Sequence, residues 1–157
     1  MMVGDPGPES ETLASIRKLL LGALALGVLG TSGELILLRH IDNSTQWIPL
    51  VVLGASIPVL IWHAVSPGPG SVRAVQVLMA VFIAAGVLGV GLHYDGNVVF
   101  AREISPDVRG FEFLRKTVAG ATPVLAPGSM VLLGLVGVAQ TYRHPYVARR
   151  GGQERPL

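Results

Sequence analysis

The sequence predicts an all-α integral membrane protein: a bundle of four transmembrane helices, with a short amphipathic interfacial helix in the loop between helices 3 and 4. Three observations predict it. Half of the 157 residues are apolar and only 14 % are charged, against about 25 % charged in soluble domains. Mean hydropathy is +0.57. The apolar residues fall into four blocks, 19–38, 47–65, 74–92 and 123–141. About twenty helical residues, rising ~1.5 Å each, cross the ~30 Å hydrocarbon core of a bilayer.

Residues 1–13 carry Gly4, Pro6, Gly7 and Pro8, then Glu9 and Glu11, and read as a disordered cytoplasmic arm. The helical membrane domain is expected over 14–145. Arg17 and Lys18 precede the first block, which is interrupted only by Thr31, Ser32 and Glu34. A cleaved signal peptide is the rival reading, but the apolar run continues through Leu35–Leu38, past any cleavage site at Gly30–Ser32. The second block has Trp47 and Trp62 near its ends, where amphipathic rings favour the headgroup level. Pro49 sits in its first turn, and Pro58 should kink it. The run Ser66-Pro67-Gly68-Pro69-Gly70-Ser71 is a turn. The third block ends at His93-Tyr94-Asp95-Gly96-Asn97, opening an extracytoplasmic loop over 93–122. Within that loop Ser105-Pro106-Asp107 is a helix-start signal, and Val108, Phe111, Leu114 and Val118 follow at near-helical spacing. Such a helix lies in the membrane interface or across the bundle mouth. The fourth block starts at Pro123, or at Pro127-Gly128, and ends at Tyr142-Arg143-His144-Pro145. Residues 146–157 read as a flexible cytoplasmic tail.

Basic residues set the orientation. Arg17, Lys18, Arg73, Arg143, Arg149 and Arg150 gather on one side of the spans. Arg39, Arg102, Arg109, Arg115 and Lys116 lie on the other, mostly in a loop that also carries Asp95, Glu103, Asp107 and Glu112. The positive-inside rule then places both termini in the cytoplasm, with the plasma (inner) membrane as the expected location. Asn43-Ser44-Thr45 matches a glycosylation sequon but lies too close to the spans to be a good acceptor.

Several function classes are excluded. The chain has no cysteine, so disulfides, thiolate metal sites and cysteine nucleophiles are absent. A net charge of +2 without interleaved aromatics gives no nucleic-acid footprint. No G-x-S-x-G, Walker loop or dinucleotide fingerprint occurs.

Small residues line helical faces: Ala23, Gly27 and Gly30 in the first block, Ala85, Gly86 and Gly89 in the third, Gly134 and Gly137 in the fourth. Such stripes let helix backbones approach closely. Glu34 continues the first stripe by one turn and His93 continues the second, so the pair is expected to meet inside the outer mouth of the bundle, with Arg39, Tyr94 and Asn97 nearby. A carboxylate at membrane depth costs a few kcal/mol or more unless it is paired or protonated. The pair reads as a structural clamp, or as a proton, ion or metal site. Glu34, His93 and Glu103 would offer mixed N/O ligands to a divalent metal. The four histidines form two nominal pairs for haem b, His40 with His93 and His63 with His144, although all four lie at helix ends. The chain therefore reads as a non-enzymatic subunit or scaffold, partnered by the bilayer and by other membrane subunits or itself. The alternatives are a haem- or metal-binding redox protein and an oligomeric proton- or ion-coupled transporter using Glu34.

Overall fold

The computed structural model describes residues 8–39, 44–120 and 124–148. Among these residues the chain is helical, with no strand. Its α-helices are α1 (Pro8–Leu37), α2 (Trp47–Val65), α3 (Pro69–Ile104), α4 (Gly110–Val118), α5 (Gly128–Thr141) and α6 (Pro145–Ala148). A 3-10 turn, Ser44–Gln46, leads into α2.

Three stretches, Ser10–Leu37, Ser44–Val65 and Pro69–Ile104, are long and apolar enough to cross a membrane. Their outward surface confirms the solvent they are built for. Leu19 and Leu26 on α1 are 74 % and 73 % exposed, and Val51, Ile61, Val77 and Val87 are exposed on α2 and α3. In water, apolar surface on this scale would drive aggregation, whereas in lipid it is matched. The chain is an integral membrane protein. The fourth apolar helix, α5, has only 14 residues, about 21 Å of rise.

Helix α1 packs on α2 and α5, α2 on α3, and α3 on α5, so these four elements close a ring. Leu24, Val28, Leu53, Leu60, Val75, Met79, Phe82, Met130 and Leu133 fill its centre. The tightest seam is α3 against α5. A Cβ on Gly86 would stand 2.8 Å from the Val131 backbone nitrogen, and one on Gly134 would stand 2.9 Å from the Met79 carbonyl. Gly89 abuts Pro127, and Gly137 abuts Met79. Ala85 is half-buried and packs against the same core. On α1 only Gly27 is used in this way, against Leu133. Ala23 is exposed, and space beside Gly30 is open, so the first stripe does not face the other three helices along its length.

Three boundaries depart from the sequence reading. First, α1 begins at Pro8, not after residue 13. Proline at the first helical position and acids at 9 and 11 suit a helix start. Second, α3 does not stop at Leu92 but runs unbroken to Ile104. Asn97, on its buried side, donates from Nδ2 to the Thr117 carbonyl at 2.9 Å, so part of the expected loop is an extension of α3 that carries α4. Third, α4 starts at Gly110 rather than at Ser105-Pro106-Asp107. Ser105 caps α3 instead, its N–H on the Ala101 carbonyl, while its hydroxyl accepts from Lys116 Nζ at 3.1 Å.

We call the end where α1 begins and α5 finishes the proximal end, and the end that carries α4 the distal end.

Candidate functional site

The distal residues singled out by sequence are divided between the end of α1 and α3, which lie across the ring from each other. Glu34 and Arg39 are both exposed, Arg39 with a left-handed φ of 49° just past α1. His93 and Tyr94 are half-buried, and Asn97 is committed to α4. The physical reason is neighbour order. Glu34 sits on α1, which is flanked by α2 and α5, whereas His93 sits on α3. Glu103 lies ten residues beyond His93 on the same unbroken helix, about 15 Å away along the axis. Among the described residues no three His, Cys, Asp or Glu side chains come together as a metal site, so the set Glu34, His93 and Glu103 is not assembled. His40, the expected partner of His93 for haem, lies outside the described residues.

The proximal end behaves differently. There His63 and His144 come together, with ring centroids 5.6 Å apart and planes at 68°. His63 is 3 % exposed and His144 8 %. Each helix of the ring delivers one polar side chain to this point. His63 occupies the last turn of α2, on the face that also buries Leu53, Ser56 and Leu60. Its Nδ1 lies 3.2 Å from Ser71 Oγ in the first turn of α3. That hydroxyl also accepts the Gly68 N–H at 2.9 Å and reaches the Gly68 carbonyl at 3.1 Å, so it pins the α2–α3 turn. On the other side, Gln140 Nε2 of α5 is 3.0 Å from His63 Nε2. His144 stacks on Tyr146 of α6 at 5.4 Å. Arg17 of α1 donates from Nη2 to the carbonyls of Tyr142 and Arg143 at 3.2 and 3.4 Å.

The cluster is polar, buried and incompletely satisfied. Arg17 Nε, Gln140 Oε1 and His144 Nδ1 are buried with no hydrogen-bond partner. Burial, the Arg17 charge and then His63 hold the pKa of His144 below the ordinary histidine value of 6.5. The two imidazoles do not present as axial haem ligands. They meet edge to face, and both nitrogens of His63 already hold protein partners.

Sequence reading placed His63 and His144 at one membrane face but missed Ser71 and Arg17 as their partners. Ser71 reads as turn chemistry and Arg17 as a flanking charge, because nothing local marks either as buried contact. Gln140 carries a weak signal, lying one turn before His144 at the end of an apolar block. No protein-family model, curated protein or solved structure matches the chain.

Proposed function

We propose that the chain is a non-enzymatic, four-span subunit of a membrane assembly that docks through the uncovered face of α1. One observation carries this reading: three of the four glycines of α1 are open where those of the α3–α5 seam are filled. A Cβ on Gly22, Gly30 or Gly33 would meet nothing within 4 Å, whereas Gly86, Gly89, Gly134 and Gly137 are all in close contact. Gly22, Leu26, Gly30 and Gly33 fall on one side of α1, with Ala23 and Glu34 at its edge, and all are exposed except Gly33, which is half-buried. Lipid chains gain little from a groove of glycines, while a second transmembrane helix gains close backbone contact there. A partner would also relieve Glu34, which among the described residues has no hydrogen bond or ion pair through its side chain.

In this reading α5 completes a fourth crossing with the residues that lead into it. The proximal end, with Arg17, Lys18, Arg73 and Arg143, is cytoplasmic. Helix α4 lies in the opposite interface, with Phe111, Leu114 and Val118 exposed along one face to lipid.

The open glycines make the test clean, because a larger side chain there disturbs nothing within the chain. Gly30→Ile is expected to leave thermal stability unchanged while weakening association at least tenfold, ~1.4 kcal/mol. The association is read by cross-linking and native electrophoresis from membranes. Association that is unaffected by both Gly30→Ile and Gly33→Ile would remove α1 as the docking face.

A further inference from the structure

We infer that the buried His63–His144 pair is a proton-operated latch on the α5–α6 turn, closed at neutral pH and opened by proton uptake in acid. The turn it closes is under tension. Arg143 adopts a left-handed φ of 45°, which a side chain with a Cβ disfavours by about 1 kcal/mol. Arg17 on the carbonyls of Tyr142 and Arg143 holds that conformation from α1. His144, packed between the His63 edge and the Tyr146 face, holds it from within.

In the arrangement seen, the hydrogen bonds of the latch close around a neutral His63, while His144 Nδ1 is left without a partner. The Gln140 amide nitrogen is a donor, so His63 Nε2 accepts from it. The proton of His63 then sits on Nδ1 and is donated to Ser71 Oγ, whose own proton goes to the Gly68 carbonyl. A second proton, on Nε2, would oppose the Gln140 nitrogen and require the amide to turn its Oε1 to the ring. A cation on His144 would stand against Arg17 and His63.

Among the described residues no counter-charge waits for that proton. The groups facing the pair are Arg17 from α1, Ser71 from α3, Gln140 from α5 and Tyr146 from α6, while the Arg143 side chain is exposed over the Tyr142 ring. Glu11, Lys18 and Arg73 are exposed, and Glu34, Asp95, Glu103, Asp107 and Glu112 lie toward the distal end. Uptake of a proton therefore gathers like charges in a buried place.

Opening relieves all of these costs together. It hydrates the cation and the unpartnered Arg17 Nε, Gln140 Oε1 and His144 Nδ1, and it frees Arg143 from its left-handed backbone. The direction with pH follows by linkage. In the open state His144 is hydrated and binds a proton near its ordinary value of 6.5, whereas in the closed state it binds one only at lower pH. The closed form is then fully favoured above about pH 6.5. It loses stability as pH falls from there through the lowered value. The opened end would present Arg17, His144 and Tyr146 together on the proximal face.

The test is hydrogen–deuterium exchange of the full-length protein in nanodiscs at pH 7.5 and 5.0, with rates corrected for intrinsic chemical exchange. Amides of residues 142–148 should lose protection at least tenfold at pH 5.0, while residues 75–90 of α3 keep theirs. The response should persist in His93→Gln and disappear in the double variant His63→Gln, His144→Gln. Equal protection of 142–148 at both pH values in the wild type overturns the latch. So does a pH response that survives in the double variant. Should that variant not fold, imidazole NMR of the wild type replaces it. His63 or His144 must then titrate at the midpoint of the exchange change, and a change that follows neither ring overturns the proposal.

Discussion

Gly134→Leu is expected to destabilise the protein by about 3 kcal/mol, the upper part of the range for overpacking a filled core, and to abolish the α3–α5 seam. The neighbours of Gly134 leave no way to yield. A Cβ there would stand 2.6 Å from Ile83 Cγ1, 2.9 Å from the Met79 carbonyl oxygen and 3.2 Å from the Ile83 nitrogen. Two of these atoms are helix backbone, so relief requires α3 and α5 to separate. Separation along this seam uncovers Met79, Phe82, Met130 and Leu133, which join the two helices to the shared core. In a membrane no hydrophobic force draws the helices back, because lipid contacts replace the lost ones. Unfolding in mixed micelles monitored by circular dichroism measures the loss. Gly30→Ile, at an open position, is the matched control and should leave that curve unmoved. Wild-type stability in Gly134→Leu would show that the α3–α5 backbones do not meet as described.

His63→Leu is expected to cost about 2 kcal/mol, the range for leaving a buried polar group unpaired. Leucine approximates the volume of imidazole but accepts nothing from Gln140. With Gln140 Oε1 already lacking a partner, the amide becomes orphaned at both ends at a position 3 % exposed. The cost should therefore be conditional. Adding Gln140→Leu removes the orphan, and the double variant should recover at least half of the loss. That coupling, read as a double-mutant cycle on the same unfolding curves, distinguishes a hydrogen-bonded contact from simple packing. Strictly additive losses would mean that Gln140 does not depend on His63.

What was legible in the sequence follows from which forces are local. The second apolar block and α2 share the residues Trp47–Val65, because a tryptophan, an early proline and a Ser-Pro-Gly-Pro-Gly turn bound that helix on both sides. The end of α3 was not legible. His93, Asp95, Gly96 and Asn97 have the composition of a loop, yet the helix runs through them to Ile104, and Asn97 finds its use only once α4 folds back onto it. The start signal at Ser105 falls where α3 ends: its N–H caps α3 and its hydroxyl accepts from Lys116, so neither opens α4.

The site shows the same division. Helical periodicity put Glu34 and His93 each at the end of a small-residue stripe, but it carries no information about which stripes face each other. That depends on ring order, and α5 stands between α1 and α3. The proximal cluster joins Arg17, His63, Ser71, Gln140 and His144 from distant parts of the chain. Each is unremarkable within its own segment, and each becomes costly or useful only when the others are brought beside it.

The central claim is that the chain crosses the membrane four times, with α5 carrying the last crossing. The most direct measurement uses the absence of cysteine from the sequence. Glu11→Cys, Glu112→Cys and Gln153→Cys, made one at a time, are exposed to a membrane-impermeant maleimide in intact cells and in inverted vesicles. The account predicts that positions 11 and 153 are labelled from the cytoplasmic side and position 112 from the opposite side. Labelling of position 153 from the same side as position 112 would contradict it, leaving three crossings and an α5 that enters the membrane without traversing it.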